Sequence, residues 1–154
     1  METADRIIIH DRDRELIIYT IGTGLRSAED FIEILSAYEV KAVLDVRSRP
    51  ISKLPHFSRQ AFSSLLLENG IDYHFLGKEL GGLRKGGFIA YLITEEFREG
   101  ISLLESLARQ GRSVIVCAET LPWKCHRKWI SLELHKQGWD VRHIIDKGKV
   151  WIPK

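Results

Sequence analysis

Ser113-Val-Ile-Val-Cys117-Ala-Glu119-Thr-Leu-Pro-Trp-Lys-Cys125-His-Arg127-Lys-Trp-Ile-Ser131 is the stretch from which the fold is read. Val114, Ile115 and Val116 make a short β-branched run of the kind buried on both faces of a parallel sheet. The run ends at Cys117 and Glu119, and a loop with Pro122 follows. An amphipathic pattern (Trp129, Ile130, Leu132, Leu134) then sets in behind Cys125, His126 and Arg127. The reading is strand, loop, helix. Ligands of open α/β sheets bind beyond the carboxyl ends of the strands. Two thiols, a carboxylate, an imidazole and a guanidinium gather at that position here.

Toward the N-terminus, Phe97, Ile101, Leu104 and Leu107 repeat at helical spacing between Thr94 and Gln110, and Gly111 stops the helix. Residues 77–87 hold five glycines in eleven positions, which predicts a mobile or tightly turned loop and no helix. Ile71 to Phe75 reads as a strand. Before it, Ser58 is placed to cap a helix with Phe62, Leu65 and Leu66 inward and Gly70 at its end. Pro50 and Pro55 stiffen the loop that follows a strand over Ala42 to Val46. Ser27 and Asp30 open a helix to Tyr38 with Phe31, Ile34 and Leu35 on its apolar face, preceded by a strand over Leu16 to Ile21. Ile7 to Ile9 reads as a short extra strand. Toward the C-terminus, Val141 to Ile145 is a strand, and Lys147-Gly148 turns it into Val150 to Ile152.

The alternation predicts an α/β fold. It is a Rossmann-like three-layer sandwich with a mostly parallel sheet of about five strands and a C-terminal antiparallel hairpin strand. The 154 residues suit one domain, and 44% of them are hydrophobic. No apolar run approaches the roughly 20 residues of a spanning helix. The two cysteines are too few for a disulfide scaffold, so a cytoplasmic protein with no membrane partner is expected.

Net charge is only +2, but basic side chains cluster in three loop-rich segments. Residues 47–59 carry Arg47, Arg49, Lys53 and Arg59 with no acid; residues 77–88 carry Lys78, Arg84 and Lys85 against Glu79; residues 120–128 carry Lys124, Arg127 and Lys128. If these segments share a face, that face suits a phosphate-bearing ligand or nucleic acid.

Motif spacing narrows the chemistry. A thiol at a helix start is acidified by the unpaired N–H groups and the helix dipole, so Cys125 or Cys117 is a candidate nucleophile with His126 assisting. Asp45 and Glu119 stand at strand ends as candidate acid and base, although Asp45 also has the look of a structural partner for a neighbouring arginine. Arg47, Arg49 and Arg127 are candidate anion clamps. Gly22, Thr23, Lys78, Gly81 and Gly82 would supply backbone donors and charge, and Trp123 and Tyr73 would stack a base. A phosphatase loop needs Arg six residues after its Cys, and Trp123 stands there after Cys117. No third glycine completes a dinucleotide fingerprint after Gly22 and Gly24. No cofactor is specified. Zinc on Cys117, Cys125 and His126 would need His56, His74 or Glu119 as a fourth ligand, and the separation of the thiols is wider than a C-x₂₋₄-C knuckle.

Several stretches together resemble the domain-of-unknown-function family 488: Tyr19-Thr-Ile-Gly22, Leu44-Asp-Val-Arg-Ser-Arg-Pro50, Leu76-Gly77 through Gly81-Gly82, and Cys117-Ala-Glu119 with Cys125-His-Arg127. The resemblance runs over about residues 16–146 and implies a single Rossmann-like domain without a settled activity. Members usually carry a His-Ser or similar pair after the first Thr-Ile-Gly, where this chain has Thr23-Gly24. Chemistry that needs that imidazole would fall here to His56, His74 or His126. Three functions stay open: a hydrolase or transferase acting on a phosphate-bearing or nucleotide-like ligand, a nucleic-acid-binding module without catalysis, and a thiol redox or metal-responsive protein using Cys117 and Cys125.

Overall fold

The computed structural model describes residues 16–153. The expected strand at Ile7 to Ile9 lies outside the described residues. Six strands form one sheet: β1 (Ile17–Gly22), β2 (Ala42–Asp45), β3 (Asp72–Phe75), β4 (Ser113–Cys117), β5 (Asp140–Asp146) and β6 (Lys149–Trp151). Their order is β3-β2-β4-β1-β5-β6. All neighbouring pairs are parallel except the β5–β6 hairpin, as the sequence pattern requires.

Four longer helices cover the two faces, α1 (Ala28–Ala37), α2 (Arg59–Glu68), α5 (Glu95–Ala108) and α6 (Arg127–Lys136), with the short α3 (Gly77–Leu80) and α4 (Phe88–Tyr91) between α2 and α5. Helices α1 and α2 bury Phe31, Leu35, Phe62 and Leu66 against Tyr19, Ile21, Val43, Val114 and Val116. Helices α5 and α6 bury Phe97, Leu104, Ile130 and Leu134 against the opposite faces of the same strands, through Ile18, Leu44 and Ile115. Alternate residues of one strand thus serve two cores, the expected outcome of a pleated strand covered on both sides. Ser27 caps α1 by accepting from the Asp30 N–H at 3.0 Å, and Thr94 caps α5 by accepting from Phe97 at 3.2 Å.

Three local expectations need correction. Ser58 precedes α2 without capping it, because its hydroxyl instead accepts from the Ser52 N–H across the proline-rich loop. Leu132 and Trp129 lie on α6 outside its buried face, which is formed by Arg127, Ile130, Ser131 and Leu134. The glycine-rich segment contains helical turns. Leu76 and Leu80 are both buried and one turn apart, and the Leu80 N–H bonds the Leu76 carbonyl at 2.8 Å. The glycines there permit close approach: a Cβ on Gly77 would stand 2.0 Å from the Arg47 carbonyl oxygen, and one on Gly81 would stand 2.2 Å from Ser48 Oγ. Composition alone could not separate glycine for mobility from glycine for contact.

The connections after β1 and β2 run toward β3 over one face, while those after β3 and β4 return over the other. The loops leaving β2 and β4 therefore diverge to opposite sides, and these strands are neighbours, with Asp45 in register with Val116. A crevice must open between their carboxyl ends.

Candidate functional site

A cleft of about 450 Å³ occupies that crevice. The β2 loop contributes Arg47, Ser48 and Arg49, the glycine segment Gly82 and Leu83, and the opening stretch Cys117, Ala118, Glu119, Lys124, Cys125 and His126. Residues from all three basic segments thus meet in one place. Two of the candidate anion clamps, Arg47 and Arg127, are already committed, however.

Asp45 is fully buried and accepts two hydrogen bonds from the Arg47 guanidinium, Nε to Oδ1 at 2.9 Å and Nη2 to Oδ2 at 2.8 Å, and a third from the Arg47 backbone N–H to Oδ1 at 3.2 Å. The third guanidinium arm, Nη1, donates to the Phe57 carbonyl at 2.6 Å. The Tyr73 hydroxyl donates to Asp45 Oδ2 at 2.6 Å, and burial together with that carboxylate holds its pKa above the ordinary phenol range. Asp45, Arg47 and Tyr73 are a closed structural network that ties β2, β3 and the following loop together. The geometry gives none of the three a free group directed at a ligand. Tyr73 meets Phe62 edge-on at 5.8 Å instead of offering a face to a base.

Arg127 is likewise a brace. It is completely buried; Nη1 donates to Thr20 Oγ1 at 3.2 Å and Nη2 to the carbonyls of Glu119 and Thr120 at 2.9 and 3.2 Å. It fastens the start of α6 to β1 and shapes the loop between the cysteines. Glu119 contributes its carbonyl to this arrangement while its carboxylate is exposed at the cleft. Gly22 packs against the same carbonyl: a Cβ there would lie 1.9 Å from the Glu119 oxygen. The N–H groups of Thr23 and Gly24 bond the carbonyls of Cys117 and Ala118 at 2.8 and 3.0 Å, which extends the β1–β4 pairing. Gly22 and Thr23 therefore hold the loop in place, and these two N–H groups are not free for an anion. Lys78 is exposed on α3 and does not line the cleft.

What the fold brings together most closely is the pair of thiols. Cys117 Sγ, at the end of β4, lies 2.9 Å from Cys125 Sγ, just ahead of α6. This is longer than the roughly 2.05 Å of a disulfide, and short enough for the sulfurs to share a proton. Cys125 Sγ accepts from the Arg127 N–H at 3.3 Å. The Cys117 hydrogen bond, His126 and the positive Arg127 lower the Cys125 pKa to about 4, against the cost of burial. Cys117 moves the other way, raised by the same hydrogen bond and by its burial. Both directions favour Cys125 as the acceptor and Cys117 as the donor of the shared proton. Cys125 borders the cleft from a partly exposed position, while Cys117 sits behind it at 2% exposure.

His126 donates from Nε2 to the Val46 carbonyl at 2.9 Å, since a carbonyl can only accept, and its ring lies against Gly82. Among the described residues no three side chains of His, Cys, Asp or Glu gather as a metal-ligand group. Arg49 and Lys124 are the exposed cations that line the cleft. Trp123 is half exposed and meets Trp151 edge-on at 5.3 Å, turned toward a neighbouring cavity. The residues that sequence reasoning missed are Ser48, whose Oγ accepts from the Leu83 N–H at 2.9 Å and closes the cleft rim, and the buried pair Thr20 and His143 behind Arg127. Ser48 had a signal in its place within the β2 loop; Thr20 and His143 had none beyond strand alternation.

Fold and site together define an α/β protein with a paired-thiol cleft at the switch point of a mostly parallel sheet. The chain belongs to the family described as Domain of unknown function DUF488, whose sequence profile matches residues 27–134. The match takes in both cysteines and the Asp45–Arg49 loop, and it is shorter at both ends than the expected span. No curated protein and no solved structure matches the chain. No helix among the described residues is long and apolar enough to cross a membrane.

Proposed function

We propose that the cleft is a dithiol–disulfide exchange centre, acting on a small thiol- or disulfide-bearing molecule. The observation that carries this reading is the contact of the two sulfurs ahead of α6, with the partly exposed Cys125 bordering the cleft and the buried Cys117 beside it. An accessible low-pKa thiol attacks, and a shielded partner within bonding reach resolves. Cys125 thiolate attacks one sulfur of the substrate disulfide, whose S–S bond breaks and whose departing half takes up a proton as a thiol. Cys117 then loses its proton and attacks Cys125 Sγ, forming the protein disulfide and releasing the second half as a thiol. Two electrons pass from the protein to the substrate.

Glutathione disulfide added to the reduced protein tests the exchange. The expected products are a Cys117–Cys125 disulfide and two molecules of reduced glutathione per chain, with Cys117→Ser stopping at a glutathione adduct on Cys125. Retention of both free thiols by the wild-type protein, at equilibrium with excess disulfide, would overturn the reading.

A second reading rests on Arg49 and Lys124 at the mouth of the cleft: a hydrolase or transferase acting on a phosphate-bearing or nucleotide-like substrate, with Cys125 as nucleophile and Glu119 as acid or base. It requires turnover of a phosphate ester that is lost in Cys125→Ser and in Glu119→Gln. Tight mononucleotide binding without glutathione exchange would favour it over the first.

A further inference from the structure

A second cavity, of about 570 Å³, lies on the other side of α6, between that helix and the β5–β6 hairpin. Trp123, Leu132, Trp139, Val141, Trp151 and Ile152 form its walls. The sheet extends here past α6, the last helix to cover this face, so the apolar inward side of β5 and β6 is left with a hollow. Its volume is in the range of small-molecule sites, which are mostly apolar with a few placed polar groups.

One such group is present. His143 lines the cavity, is 2% exposed, and stacks on Trp151 with ring centres 5.3 Å apart. Its Nδ1 is 2.6 Å from Thr20 Oγ1, which also accepts from Arg127 Nη1. Thr20 is fully buried, and among the described residues His143 Nδ1 is the acceptor its hydroxyl proton can reach. The hydroxyl therefore donates to Nδ1, and the ring proton resides on Nε2. Burial and the nearby Arg127 charge lower the His143 pKa to about 4, so the ring is neutral at physiological pH. Nε2 has no hydrogen-bond partner among the described residues. A buried, uncharged imidazole with an unpartnered ring nitrogen thus stands in the wall of a cavity lined by indoles.

Trp139 Nε1, in the cavity wall, is a second buried donor without a partner, and the remaining polar side chains are engaged elsewhere or lie at the rim. Ser131 Oγ donates to the Arg127 carbonyl at 2.7 Å, Asp140 pairs with Arg142 at 2.8 Å, and the Lys128 ammonium lies over the Trp129 ring. His135 is exposed at the rim.

We propose that this cavity is a binding site for an uncharged, planar aromatic molecule bearing a carbonyl oxygen. The ring system lies against the indoles, and the oxygen accepts from His143 Nε2–H. A charged carboxylate seated at His143 Nε2 would exchange its water for one uncharged donor, which disfavours it. The site is separate from the thiol cleft and does not depend on the exchange chemistry.

Three of the chain's four tryptophans line the cavity, so intrinsic fluorescence reports binding. The full-length protein is titrated with 2-acetylnaphthalene, 2-ethylnaphthalene and 2-naphthoate. Saturable quenching is expected from the ketone, with affinity about fivefold above the hydrocarbon for one net hydrogen bond. The naphthoate should bind more weakly than the ketone. Trp151→Ala, at the cavity edge, should weaken the ketone by about tenfold or more, as expected for loss of an aromatic anchor. His143→Phe should abolish the preference for the ketone over the hydrocarbon. Absence of saturable quenching by the ketone, which is also the outcome if another segment or a protein partner fills the cavity, overturns the proposal. So does equal wild-type affinity for ketone and hydrocarbon, or stronger binding of the carboxylate. The ligand comparison uses wild-type protein alone, so it decides the matter even where the His143 variant does not fold.

Discussion

Replacing Cys117 with Ala removes the largest influence holding the Cys125 thiol in its ionised form, while leaving the Arg127 N–H and charge in place. The Cys117 hydrogen bond reaches Cys125 across 2.9 Å. A hydrogen bond to a charged acceptor contributes about 1.5–3 kcal/mol, and one pH unit corresponds to about 1.4 kcal/mol, so the Cys125 pKa should rise by about one to two units. The sign follows from the charge: the thiolate loses its donor, the neutral thiol loses little, and ionisation becomes harder. The assay is the rate of iodoacetamide labelling at Cys125 between pH 3 and 9, assigned by peptide mass spectrometry. The wild-type profile should be flat from neutral pH downward and fall to half near pH 4, where the thiolate titrates. The variant should fall to half about one to two units higher. The midpoint is the readout because intrinsic nucleophilicity itself rises with thiol pKa and obscures absolute rates. Cys117→Ser, which keeps a short donor, should lie between the two. A wild-type midpoint near the ordinary thiol value, or identical midpoints in wild type and Cys117→Ala, refutes the assignment of Cys125 as the acidified member of the pair.

Two further outcomes probe the scaffold. Asp45→Asn leaves the buried Arg47 guanidinium without its anionic partner and should destabilise the fold by about 3 kcal/mol or more, measured as a lower urea midpoint with unchanged m-value; a shift below about 0.5 kcal/mol would show that the pair is not the brace described. His143 is held neutral in the fold with its pKa lowered from 6.5 to about 4, so the unfolded chain binds more protons across that window. Its contribution is present above pH 6.5 and is lost as pH falls toward 4, about 3 kcal/mol in total, and the slope of stability against pH in this range should be shallower in His143→Phe than in the wild type.

The elements were legible because each is written in local terms. The run Val114-Ile-Val116, the helical spacing of Phe97, Ile101 and Leu104, and the cap at Ser27 each state a period or a boundary that neighbouring residues suffice to read. Their alternation gave the parallel sheet and located a crevice after β2 and β4, and the structure opens a cleft there. The two cysteines were likewise visible as a pair at a strand end and a helix start. Which charges remained free was not visible. Arg47 and Arg127 look in sequence like the exposed Arg49, yet both are buried and bonded, the first to Asp45 and the second to the Glu119 and Thr120 carbonyls. A guanidinium's role depends on which acceptors reach it, and those come from residues as distant in the chain as Thr20, 107 positions away from Arg127. The glycines at 77 and 81 gave the same ambiguity, resolved only by the backbone of Arg47 and the side chain of Ser48 pressing against them. The sequence by itself determined a mostly parallel sheet with covered faces and the end at which reactive side chains gather, but not the strand order, because hydrophobic period and chain direction are local properties. Only the tertiary structure decided that Cys117 and Cys125 meet at 2.9 Å, and that His143 lines a cavity while its Nδ1 bonds Thr20. Proton sharing and buried polarity depend on atoms a few ångströms apart in space, at separations along the chain that no local pattern records.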